Sequence, residues 1–244
     1  MPFRFTLCCL LVFFVSALHA QKNILSQDQD LLWTRYNLQL NFSPKISWNN
    51  EADNRVFLKN FHQNQFIFHS HVHYRFNENV EASTGVSYSY QKPTNPDAIK
   101  PLGVPERRVF QELYFRQNLS NKLKIQHRLR SEERFFRRNN GVMLTDGYDF
   151  NWRYRYQIQL SYAISPSFTA KVSNELMLNF GKKIIYNTFD QNRLYAAIEG
   201  KISKNFSAEL GYMRYFQQRA KANEYILRDN IRFTLYHRLN LYKK

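Results

Sequence analysis

Three histidines stand two residues apart, at His69, His71 and His73. In an extended chain that spacing puts them on one face, where imidazoles could share a metal ion. A single strand rarely supplies a complete coordination shell, and no acidic residue lies beside them in the sequence. The expected role is therefore polar lining, with no metal and no cofactor. A second set of residues repeats the same alternation with opposite charges. Arg128, Arg130 and Glu132 form one run, Arg153 and Arg155 another, and Glu175, Arg193, Glu199 and Arg232 fall in later runs. Guanidinium and carboxylate pair in a planar, two-bonded geometry, so these nine residues are expected to form a network, with Glu132 and Glu175 as partners of Arg153 and Arg155.

The nucleophile and phosphate motifs are missing. No Gly-x-Ser-x-Gly, Gly-rich phosphate loop or His-Glu-x-x-His occurs. None of the seven histidines is followed two positions later by a serine, the arrangement by which a barrel-bound lipid hydrolase activates its hydroxyl. His69 and Ser70 are adjacent and so face opposite ways. The sequence is read as not that of an enzyme and carries no catalytic assignment.

The elements that must position these groups are strands. Residues 151–164 read NWRYRYQIQLSYAI. Trp152, Tyr154, Tyr156, Ile158, Leu160, Tyr162 and Ile164 share one face, and Asn151, Arg153, Arg155, Gln157, Gln159 and Ser161 the other. The run is longer than a typical soluble strand of about 5–6 residues and long enough to cross a bilayer. Alternation of this kind marks strands near 31–42, 45–50, 62–76, 80–90, 107–119, 122–135, 150–164, 168–180, 191–202, 206–216 and 225–241. Five tight-turn signals separate pairs of them: Ser43-Pro44-Lys45, Asn77-Glu78-Asn79, Ser120-Asn121-Lys122, Ser165-Pro166-Ser167 and Ser203-Lys204-Asn205. Longer polar stretches lie between, at 49–61, 91–106, 138–148, 181–191 and 217–224. His127 falls on the apolar face of its strand, a misfit to the pattern.

Short turns alternating with longer loops is the plan of an outer-membrane barrel. The fold expected is all-β: one antiparallel up-and-down transmembrane barrel of 10–12 strands over residues 21–244. Barrels of one bacterial chain have even strand numbers, which conflicts with the eleven runs above. Residues 1–20, with Arg4, an apolar run and Ala20, have the layout of a cleaved secretory signal peptide. Both cysteines, Cys8 and Cys9, lie in that segment, so disulfides and thiolate chemistry are not expected in the mature chain.

No later apolar run is long enough for a membrane helix, and mean hydropathy is −0.58. Alternation dilutes a barrel's average in this way. The aromatic fraction of 16% fits belts at two membrane interfaces. The net charge of +16 in an exported chain points to lipid head groups or an inward cationic surface, and not to nucleic acid. If the polar faces line a lumen, cations well outnumber anions there. Ten to twelve strands should leave a narrow interior, mostly filled by Arg and Glu side chains. That interior would be structural or a narrow, porin-like, anion-favouring pore. The alternatives are a lipid-modifying hydrolase and a soluble periplasmic lipid-binding barrel with its apolar face inward. The expected partners of a monomer in the bacterial outer membrane are its lipids and the barrel-assembly machinery.

Several stretches carry a resemblance: LWTRYNLQLNF (32–42), HRLRSEERF (127–135), WRYRYQIQLSY (152–162), SNELML (173–178), FDQNRLYAAIEGKI (189–202) and AELGYM (208–213). Together they resemble a family of exported proteins catalogued as domain of unknown function 2490 and regarded as outer-membrane β-barrels. The resemblance implies a fold and transfers no activity. The last strand resembles an assembly signal through Leu239-x-Leu241, but ends in Lys243-Lys244 and not in an aromatic residue.

Overall fold

The backbone N–H and C=O groups of an extended strand need partners on both sides, and here the sheet satisfies every strand by closing on itself. The computed structural model describes residues 25–242 except 94, 96, 99 and 100. The segment read as a signal peptide, with Cys8 and Cys9, and the terminal Lys243-Lys244 lie outside the described residues. The strands are β1 (Leu25–Asn41), β2 (Ile46–Phe57), β3 (Gln63–Arg75), β4 (Val80–Gln91), β5 (Val104–Asn118) and β6 (Leu123–Asn139). They continue as β7 (Leu144–Ala163), β8 (Phe168–Phe180), β9 (Phe189–Lys201), β10 (Phe206–Gln218) and β11 (Glu224–Asn240). Each pairs with its sequence neighbours, and β1 meets β11 to complete a closed barrel.

Among the described residues the count is eleven, within the expected 10–12 and equal to the eleven alternating runs, so it is the rule of even numbers that gives way. An odd barrel can close only if one pair runs parallel, and β1 and β11 do so in unbroken register from Leu25↔Glu224 to Asn41↔Asn240. All other neighbours are antiparallel. The seam gives a direct test. Leu40 and Leu239 are paired there, within the reach of a disulfide. With Cys8 and Cys9 replaced by Ser, the Leu40→Cys/Leu239→Cys variant is expected to form an oxidant-dependent intrachain crosslink, seen as a shift in denaturing gel mobility. No crosslink would contradict the seam.

The five tight turns share one construction. The first residue of each, Ser43, Asn77, Ser120, Ser165 or Ser203, turns its side-chain oxygen onto the backbone N–H groups two and three residues on. This is the local hydrogen bonding that makes Ser and Asn turn residues. All five turns lie at the same end of the barrel.

At the other end, two expected loops are corrected. Strand β2 runs to Phe57, and β6 and β7 extend until only 140–143 separates them. Polar residues break the outward face in both stretches, Asn50 and Asn54 in β2 and Arg137 and Asp146 in β6 and β7, which blurs the period. Pairing with neighbours decides the conformation there. The connections at this end that remain long are 92–103 and 181–188.

The faces sort cleanly. Phe42, Phe76, Tyr162 and Phe168 project outward near the tight turns, and Tyr88, Phe150, Tyr154 and Phe180 near the opposite end. Val72, Val86, Leu129, Val172, Leu194 and Ile231 project outward between them. Arg153, on the other face of β7, is buried. His127 points outward, and its Nδ1 lies 2.8 Å from the Tyr156 hydroxyl, with the two rings stacked. A polar ring on the apolar face thus has its own partner on the adjacent strand.

Candidate functional site

Inside the barrel the unfilled space is about 700 Å³, and its walls are mainly polar and charged, with an aromatic and apolar patch on one side. They divide into three sectors, each set by which strands are neighbours.

The first sector spans β5 to β8 and is dominated by paired charge. Register places Glu132 opposite Arg153, and Arg130 opposite Arg155. Two cations face one another in the second pair, and Glu132 reconciles them. Fully buried, it accepts from Arg153 Nε at 2.6 Å and from Arg155 Nη1 at 3.0 Å. Arg130 Nε lies 2.7 Å from Oε1, the oxygen that Arg155 also approaches. Glu175 receives Arg155 Nη2 at 2.7 Å and Arg128 Nη2 at 2.5 Å, with Arg193 farther off at 3.8 Å. Arg153 also reaches Asp190 at 3.3 Å. Burying such charges is costly unless each is paired and hydrogen-bonded, and here one carboxylate serves two or three guanidinium groups.

The second sector joins β1, β2, β9, β10 and β11 around an apolar cluster of Trp33, Tyr195, Ala197, Met213 and Tyr215. Arg55, Arg193 and Arg232 lie over the Trp33 ring at 3.6, 5.4 and 5.7 Å from its centroid. Arg228 lies over Tyr215 at 5.5 Å, and its other contacts are neutral: Gln29 and the Tyr215 hydroxyl. Arg232 approaches Tyr195 and donates to Thr234. Neither Arg228 nor Arg232 has a carboxylate within salt-bridge distance among the described residues. Aromatic faces stabilise these cations without neutralising them. Tyr195 fits because Gly211 beside it has no Cβ to meet its ring.

The third sector, on β2 to β5, holds His69, His71 and His73, all buried. The expectation that no acid accompanies them is corrected. Glu51 and Glu81 come from the flanking strands β2 and β4, and Glu112 from β5. Lateral pairing of β2 to β5 brings these carboxylates in, and the spacing within β3 does not announce them.

Of the nine residues expected to form one network, Arg128, Arg130, Glu132, Arg153, Arg155, Glu175 and Arg193 are contiguous. Glu199 stands apart near the tight turns with Lys171, Ser207 and Arg238, and Arg232 belongs to the aromatic sector. Sequence reading passed over Glu51, Asp53, Glu106 and Asp190 as lumen acids. Asp53 holds Arg35 in a two-bonded pair, and Glu106 takes Arg108 and Arg134 at 2.6 Å each. The signal was available in 49–55, where Asn49, Glu51, Asp53 and Arg55 alternate. The polar residues on the opposite face of that stretch hid it.

A family model described as a protein of unknown function (DUF2490) matches residues 31–225. No curated protein matches the chain. Among solved structures, the β-domain of the Bordetella autotransporter BrkA is similar with a TM-score of 0.46 at 10% identity, covering 80% of this chain and 82% of that one.

Proposed function

As the chain belongs to the DUF2490 family, whose description assigns no function, we propose its role from its own geometry: it is an outer-membrane barrel whose lumen is a narrow passage favouring anions. The observation that carries this reading is the imbalance between sectors. Carboxylates pair with the guanidinium groups of β5 to β8, while among the described residues Arg228 and Arg232 face the lumen with aromatic and neutral contacts and no carboxylate within salt-bridge distance, Glu209 acting on Arg232 only from farther away. Unneutralised cations in a low-dielectric wall raise the local concentration of anions and exclude cations. The Arg–carboxylate sector fills much of the cross-section and keeps the passage small.

The membrane assignment is supported by the two faces. Aromatic residues project outward near both ends with aliphatic residues between, and charges point in, the sense of a membrane barrel. A lipid held inside would meet charge on nearly every side, which disfavours the soluble lipid-binding alternative. A hydrolase would need a serine beside an outward imidazole. His127 and His237 instead face the hydroxyls of Tyr156 and Tyr36. In this reading the tight turns face the periplasm, the partners are outer-membrane lipids and the assembly machinery, and the protein acts as a monomer.

Planar-bilayer recording tests the proposal. Small unitary conductance is expected, with a reversal potential of anionic sign in a potassium chloride gradient. Arg228→Gln/Arg232→Gln should move that potential toward zero. Cation preference, or no conductance in a correctly folded barrel, overturns it.

A further inference from the structure

The histidine sector has a hydrogen-bonding problem that a metal ion would solve. His73 Nε2 and His71 Nδ1 lie 2.8 Å apart. His73 Nδ1 lies 2.8 Å from Glu81 Oε1. A carboxylate only accepts, so His73 Nδ1 carries hydrogen and the neutral ring leaves Nε2 bare. His71 Nδ1 must then donate to it. That leaves His71 Nε2 bare as well, buried without a hydrogen-bond partner and 3.6 Å from Glu51 Oε1. Two acceptors face each other inside the wall.

We propose that His71 Nδ1, His73 Nε2 and Glu112 Oε2 bind one divalent transition-metal ion of the zinc class. The three ligand atoms already lie within 4.8 Å of one another, and all three residues are buried. With the ion present, both inner nitrogens are bare and both outer ones carry hydrogen. His73 then donates to Glu81 and His71 to Glu51, the carboxylate–histidine–metal arrangement that orients metal-binding imidazoles. Neither ring is left with an unsatisfied nitrogen.

The fit needs modest movement: the three ligand atoms lie within 4.8 Å of one another, and Glu112 Oε2, which already accepts from Ser83 Oγ at 2.8 Å and from the Tyr114 hydroxyl at 2.9 Å, must turn toward the ion. Tetrahedral zinc with bonds of about 2.0–2.1 Å sets its nitrogen ligands about 3.3 Å apart, so the two rings must separate by a few tenths of an ångström. Glu112 keeps its other oxygen for Arg130 at 3.2 Å. Asn49 adds a neighbour: its Nδ2 stands 3.1 Å from His73 Nε2, and its buried Oδ1 has no partner. Turning that amide over would offer the oxygen to the ion. Two imidazoles and one carboxylate leave a coordination position open, here toward the lumen. A proton on His71 is the competing occupant, since it also supplies the missing hydrogen toward Glu51.

Calorimetric titration of tag-free barrel in detergent with zinc chloride is the test. One ion per chain is expected, with binding lost in His71→Gln and in His73→Gln, and weakened about 10–100-fold in Glu81→Gln. Cobalt(II) added to the unaltered protein provides a readout that needs no variant: visible bands of a four- or five-coordinate nitrogen–oxygen site are expected. Absence of stoichiometric binding, binding unchanged in His73→Gln, or a cobalt spectrum of the hexaaqua ion would overturn the proposal and leave the proton as occupant.

Discussion

Glu132→Gln is expected to destabilise the barrel by about 3–5 kcal/mol, the cost of breaking a buried ion pair by removing one partner. The amide keeps the shape and loses the charge that holds Arg130, Arg153 and Arg155 together. Those three groups would then repel within a crowded wall, with Arg130 and Arg155 directly opposite in register. Urea titration of the barrel in lipid vesicles, followed by tryptophan emission, measures the loss. Removing charge from both sides should be milder, because a buried pair replaced by apolar groups of similar volume is close to neutral. Glu132→Leu/Arg153→Met should accordingly recover part of the stability. Asp97→Ala is the contrast: its partner Lys59 is 68% exposed, and such pairs contribute little. A Glu132→Gln loss no larger than that of Asp97→Ala would show that the charged wall is not what holds the barrel.

Gly85→Val is the second substitution with a large expected effect. Gly85 sits on β4 directly opposite His71 on β3. A Cβ there would lie 2.4 Å from both the His71 Cβ and the Ser70 carbonyl oxygen, and 2.7 Å from the His71 Cα. Two of those atoms are backbone and cannot swing aside, so β3 and β4 must separate. Overpacking of this kind costs about 1–3 kcal/mol where neighbours can adjust, and these adjust poorly. The expected result is a lower yield of the compact, heat-modifiable form on gels, with Gly85→Ala intermediate. Wild-type yield and unfolding midpoint for Gly85→Val would mean the strands are farther apart than described.

Much of the architecture was legible because a barrel writes its faces into the sequence with period two. The runs in β6 to β11 show apolar residues outward and charge inward, and the strands drawn there match closely. The rims were not legible. Near 50–57 and 137–149 polar residues break the outward face, so the pattern blurs where the strands continue. Parity was hidden for another reason: no short-range signal marks a parallel pair between residues some 200 positions apart in sequence. At the site, the partners of Arg153 and Arg155 could be read because Glu132 and Glu175 lie on adjacent strands in the same alternation. Of the acids beside the histidines, Glu81 and Glu112 fall on the polar face of their runs in the same way, and Glu51 lies in the blurred stretch of β2; what alternation does not give is their convergence on His71 and His73. The apolar cluster around Trp33 carries no such signal, because in 194–198 and 212–216 apolar residues stand on both faces of the strand.

The parallel seam between β1 and β11 bears on how the chain is assembled. Every other pairing joins consecutive strands and can form as the chain advances, hairpin by hairpin. The seam joins the two extremes of the sequence, so it carries the largest loop-closure entropy of any contact in the molecule. Its slanted hydrogen bonds are also slightly weaker per residue than those of an antiparallel ladder. An eleven-stranded open sheet is therefore the natural last intermediate. Once formed, the seam is held along its full length, Leu25 to Asn41 against Glu224 to Asn240, so its handicap lies in the order of assembly and not in the finished wall.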